Sequence, residues 1–167
     1  MGFVERDFDC EEVHPIDIVE TLAEQRSWDF DRIAEDQIAM AVEGTWRTYS
    51  VTLAWSARDE TLRLIAAFDM APPARRVGAL HTAMGLANDK CWSGAFVLWP
   101  EQKLMAYRYS LNLAGGAHAS SAQINDMVRC AIVACERFYP AFQLVAWGGE
   151  RPDKALGIAM AEAYGRA

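Results

Sequence analysis

The chain has 167 residues, 52% of them hydrophobic and 23% charged, and carries a net charge of −7. That composition supplies ample core material for one domain and argues against global disorder. The acidic balance, with Arg75-Arg76 as its densest basic spot, makes nucleic acid a poor partner, and no apolar run is long enough to cross a bilayer.

The charge is unevenly placed. Residues 1–12 hold Glu5, Asp7, Asp9, Glu11 and Glu12 against Arg6, a net −4, leaving −3 for the rest. Residues 1–13 therefore read as a flexible acidic N-terminal segment and residues 14–167 as a single domain. The opening Met-Gly-Phe-Val-Glu-Arg-Asp lacks the basic and apolar regions of a secretory leader, and Arg6 does not suit a myristoylation signal. A cytoplasmic location is expected.

In chain order, Pro15 opens a helix over about 15–26, with Ile18, Val19, Leu22 and Ala23 as its apolar stripe. A short strand is expected near 28–34, then a strand over 37–43. Gly44 marks a turn into a strand over 46–55 that alternates Tyr49, Val51, Leu53 and Trp55 with polar residues. Asp59-Glu60 turns the chain into a further strand over 61–70. Pro72-Pro73 starts a helix ending near Asn88-Asp89. Strands over 92–99 and 103–113 follow, joined by a turn at Pro100-Glu101-Gln102. After Gly115-Gly116, Ser120 and Gln123 have the spacing of a capping box, and the helix they open carries Ile124, Met127, Val128, Ala131, Ile132, Cys135, Phe138 and Phe142 on one face. Pro140 lies inside that pattern, which predicts a kinked but continuous helix. Gly148-Gly149 stops it, and a short helix closes the chain over 152–164. Strands joined by short turns predict an α+β fold: one antiparallel sheet of five or six strands, in the order α-β-β-β-α-β-β-α, with helices packed on it.

Catalytic chemistry finds little support. The histidines are His14, His81 and His118, none in a nucleophile motif; Cys10, Cys91, Cys130 and Cys135 form no Cys-x-x-Cys pair and open no helix. Free cysteine is commonly a small buried apolar residue. Cys130 and Cys135 are five apart on a helix, so they do not share a face, and Gly115-Gly116 lacks the Lys-Ser/Thr of a phosphate loop. No catalytic residue, metal or cofactor is assigned. A small Cys/His enzyme and a small-ligand sensor stand as the alternatives to a protein-binding module.

Several segments together resemble the YbjN-domain family of bacterial proteins, in the form found in alphaproteobacteria. They are His14-Pro15-Ile16-Asp17, Ala67-Phe68-Asp69-Met70, the Arg75-Arg76 to Asn88 helix leading into Trp92-Ser93-Gly94-Ala95-Phe96-Val97-Leu98-Trp99, and above all Glu136-Arg137-Phe138-Tyr139-Pro140-Ala141-Phe142-Gln143 followed by Trp147-Gly148-Gly149. The resemblance implies a type III secretion chaperone-like fold, which is that of small acidic homodimers that bind other proteins without catalytic residues. It also implies a role as a regulator of stress response, motility or sensory transduction.

The second helix carries a wide apolar arc, and the strand after it is apolar on both faces. Surplus apolar surface on adjacent elements suits a covered interface. A symmetric homodimer is therefore expected here, with Val77, Leu80, Met84, Trp92, Phe96 and Leu98 as its candidate residues. A further, unidentified protein partner is also expected.

Overall fold

The computed structural model describes residues 13–164. Apart from Val13, the acidic segment expected over 1–13 lies outside the described residues.

Pro15 occupies the first turn of α1 (Pro15–Gln25), and His14 Nδ1 accepts a hydrogen bond from the Ile16 amide at 3.2 Å. The residues this helix buries are Ile16, Val19, Leu22 and Ala23, so the stripe begins at Ile16 and leaves Ile18 only half-buried. Four strands follow: β1 (Asp29–Ala34), β2 (Gln37–Glu43), β3 (Thr48–Ser56) and β4 (Thr61–Asp69). A 3-10 turn at Ala74–Arg76 leads into α2 (Val77–Asn88), then β5 (Gly94–Trp99) and β6 (Leu104–Asn112). The long helix α3 (Ser121–Ala146) and the closing α4 (Pro152–Tyr164) complete the chain. Trp46 and Trp92, expected to begin strands, lie in the loops that approach them.

All strand pairs are antiparallel, in the order β1-β2-β3-β4-β6-β5. The last hairpin returns β6 against β4, so β5 becomes one edge of the sheet and β1 the other. The register lines up Asp31, Ala39, Thr52, Ile65, Arg108 and Ala95 in one row across all six strands. Side chains alternate between faces, so these six share a face. The opposite face supplies the core. There Ile38, Met40, Tyr49, Val51, Leu53, Leu62, Leu64 and Phe68 are buried under the helices.

Helix α3 has the capping box the spacing predicts: the Gln123 amide donates to Ser120 Oγ at 3.1 Å, and the Ser120 amide to Gln123 Oε1 at 2.9 Å. It runs unbroken through Pro140. Its apolar face presses Phe138 and Phe142 onto Phe96 of β5, with ring centroids 5.9 and 5.0 Å apart. Phe96 in turn meets Tyr107 of β6 at 5.1 Å. These contacts are edge-on, the geometry that sets the positive rim of one ring against the negative face of the next. Phe142 and Phe138 are nearly inaccessible to water.

Phe142→Ala is expected to cost about 3–5 kcal/mol, the loss of a buried ring plus the cavity it leaves. Ser120→Ala, which removes only a cap, is expected to cost about 1 kcal/mol. Urea denaturation followed by circular dichroism measures both; equal losses would show that the ring contributes little.

Candidate interaction surface

The corner between α2 and β5 is organised by its backbone. Helix α2 buries Leu80, Ala83, Met84 and Ala87 against the core. Its last residue, Asn88, then reaches across to the sheet edge. Asn88 Oδ1 accepts from the Phe96 amide at 2.7 Å, and Asn88 Nδ2 donates to the Phe96 carbonyl at 3.1 Å. A primary amide presents one acceptor and one donor side by side, so it can stand in for a missing neighbouring strand. The middle of the β5 edge is therefore closed to strand addition, which is one way exposed edges are protected. Gly94 opens the strand because the Arg108 carbonyl and the Tyr107 ring, 2.7 Å from where a Cβ would stand, leave no room for a side chain.

The six candidate interface residues divide at this corner. Leu80, Met84 and Phe96 are buried within the chain's own core. Val77 and Leu98 are half-buried, and Trp92, in the loop from α2 to β5, is 99% exposed. Leu86, on the same helix, is 38% exposed. Any contact with a second molecule at this corner rests on Trp92, Val77, Leu98 and Leu86, with the other three holding the corner rigid from behind.

Two more clamps fix α3 against the sheet and α2. Glu136, one turn before Pro140, receives the Tyr49 hydroxyl at 2.6 Å and the amides of Thr45 at 2.8 Å and Trp46 at 3.2 Å. Gly44 is needed for this, though not for the positive φ expected of a turn glycine: its φ is not positive. A Cβ there would run into the Glu136 carboxylate and stand 2.7 Å from the Tyr49 ring. Burial first, then the bond to Glu136, pushes the Tyr49 hydroxyl above its ordinary value, so it stays a donor. At the far end of α3, the Arg76 guanidinium donates to the carbonyls of Val145 at 2.8 Å and Glu150 at 2.7 Å. It thereby satisfies a helix C-terminal carbonyl and the loop before α4.

A family match covers residues 15–144, to a family described as "putative bacterial sensory transduction regulator" and named YbjN. The chain belongs to the YbjN family. Among solved structures, YbjN from E. coli, described as a putative transcription regulator, is similar with a TM-score of 0.54 at 10% identity, covering 75% of this chain and 92% of that one. A chain of the HopA1–SchA chaperone–effector complex is similar with a TM-score of 0.45 at 15% identity, covering 72% of this chain and 91% of its own. A search of curated proteins finds no match. At 10% identity the likeness to E. coli YbjN concerns the fold.

The segments that carried the YbjN resemblance are largely the clamps. Glu136 grips the β2–β3 loop, Arg76 caps α3, and Asn88 and Gly94 seat β5. Sequence reasoning read Asn88 only as a helix end and did not single out Glu136. The signal for Glu136 was a lone carboxylate on the inward flank of an apolar helix, where an unpaired charge would be costly.

The thiols of Cys91 and Cys130 are both pushed up, chiefly by burial, and that of Cys135 strongly so for the same reason. All three are free; Cys10 lies outside the described residues. Raised thiols carry little thiolate near neutral pH and are poor nucleophiles. Among the described histidines, His14 sits edge-on to Trp55 with centroids 6.4 Å apart, and His81 and His118 are exposed. No group of three His, Cys, Asp or Glu among the described residues is placed to hold a metal.

Asn88→Ala is expected to destabilise the chain by about 1–3 kcal/mol, because it strips partners from two backbone groups of Phe96. It should also promote association through the opened edge. Denaturant titration and concentration-dependent light scattering read the two effects; a variant as stable and as dispersed as the parent would refute the clamp. Thiol titration with a disulfide reagent at pH 8 should find four reactive thiols in denatured, non-reduced protein and almost no reaction of Cys135 in the folded state. Rapid native labelling of Cys135 would contradict its burial.

Proposed function

We propose that this YbjN-family chain is a non-catalytic protein-binding module, chaperone-like or regulatory, that acts as a homodimer through the corner of α2 and β5. One observation carries the reading: Trp92 stands 99% exposed on a loop whose two flanks are fixed, α2 by its buried face and β5 by the Asn88 clamp. A large aromatic left in water on a fixed loop has the character of an interface anchor. Rigid flanks lower the entropy cost of using it.

The family's description as a sensory transduction regulator supports a role played through other proteins. So does the net charge of −7, which disfavours direct contact with a phosphate backbone. The reading takes 14–167 as one domain, supported by a core cluster that runs without a break from Ile16 in α1 to Ala159 in α4. It places the protein in the cytoplasm; no described helix is long and apolar enough to cross a membrane. Raised thiols support a role without cysteine nucleophiles.

Light scattering coupled to gel filtration at micromolar concentration is expected to give at least two chains. Trp92→Ala and Leu98→Glu should each weaken pairing by roughly tenfold or more, as truncating an interface anchor does. A mass of 18.6 kDa, that of one chain, refutes the dimer. Variants that keep the parent's mass move the interface away from this corner.

A further inference from the structure

The sheet face turned away from the helices has no cover among the described residues: the buried core lies on the other face, under α1, α2 and α3. We propose that this open face is a second contact surface, on which another copy of this chain stacks sheet on sheet about a twofold axis parallel to the strands. The proposal goes beyond the α2–β5 dimer; Trp92 borders this face too, lining one depression with Ile65, Ala95 and Arg108, so Leu98 is the residue that separates the two surfaces.

Charge complementarity within one row of side chains favours this stacking. Asp31 stands at the β1 edge, Arg108 one strand in from the β5 edge, and Ala39, Thr52 and Ile65 lie between them without charge. Asp29, two residues from Asp31, faces the same way. Asp29, Asp31 and Arg108 are exposed, and none has a counter-charge among the described residues. The other charges on this face are differently placed. Arg63 pairs with Asp59 and Asp69 with Arg47, while Glu43 sits at the turn end of β2.

The strand order decides the axis. A twofold axis parallel to the strands, midway between β3 and β4, lays β1 of each copy over β5 of the other, β2 over β6, and β3 over β4. Asp31 of one copy then comes beside Arg108 of the other, and the symmetry makes the contact twice, as an isologous interface requires. An axis across the strands would instead set β1 on β1 and bring acid against acid. Within the row, the short Ala39 and Thr52 and the half-buried Ile65 suit sheets about 10 Å apart, crossing at the roughly −30° that strand twist gives.

The test uses the full chain and measures mass by light scattering and sedimentation. Arg108→Glu and Asp31→Arg are each expected to halve the assembled mass and weaken this pairing by roughly tenfold, as close charge pairs across interfaces do. The double variant carrying both changes restores the opposite charges and should regain the parent's mass. Salt raised to about 0.5 M should loosen the parent in the same way. Both sites are exposed, and thermal melts by circular dichroism confirm that each variant is folded. The proposal is overturned if the parent is a single chain, if Arg108→Glu keeps the parent's mass, or if the double variant fails to regain it. Loss of mass in Leu98→Glu but not in Arg108→Glu sinks this pairing and leaves the α2–β5 dimer standing; the reverse pattern does the opposite.

Discussion

Everything in this fold depends on how α3 is seated. A single helix of 26 residues has to cover the sheet on one flank and supply the surface for α2 and α4 on others. Its buried residues satisfy the first demand through ring contacts that knot Phe138 and Phe142 to Phe96 on the edge strand. Because Phe96 also touches Tyr107, the same knot ties the β5–β6 hairpin to the sheet. Removing the helix would strip cover from β4 and β6 together, so sheet and helix cannot be stable separately.

The apolar contacts fix the distance of the helix from the sheet and, through interdigitated rings, part of its register. The rest of the register is set by polar groups. Glu136 takes three donors from the β2–β3 region, and Arg76 holds the end of α3 with two carbonyls. These bonds are directional and lose their value with small displacements. The segment Glu136 to Gln143 combines one polar anchor with Phe138 and Phe142, so a few successive turns of α3 set both its register and its distance from the sheet.

The two edges of the sheet are treated differently. At β5 the Asn88 amide occupies backbone groups that another strand would seek, so contacts there fall to side chains. At β1 the exposed face carries Asp29 and Asp31, which keep the edge soluble without closing it. The molecule thus separates a wrapped, rigid corner from an open face whose charges lie at opposite sides.

Much of this was written in the sequence. Strand alternation placed the inward face of β3, the Ser120–Gln123 spacing marked the start of α3, and the apolar face of α3 continued past Pro140 and kept the helix whole. Such features are local: the period of a strand, the donors of a helix end and the conformation of a proline are settled by neighbours in the chain. Tertiary structure decided the rest. Leu80 and Phe96 read as surplus apolar surface because periodicity cannot say whether the cover comes from the same chain; over Phe96 that cover is Phe138 and Phe142 of α3, more than forty residues on. Gly44 read as a turn of positive φ, yet what requires glycine is a carboxylate from a helix far along the sequence. Asn88 read as a helix end, and its work is at a strand edge that exists only once β6 has paired with β4. For Phe96 and Gly44 the deciding contact joins residues that chain order keeps far apart; for Asn88 the partner is only eight residues on, but it offers free backbone groups because β5 lies at the sheet edge.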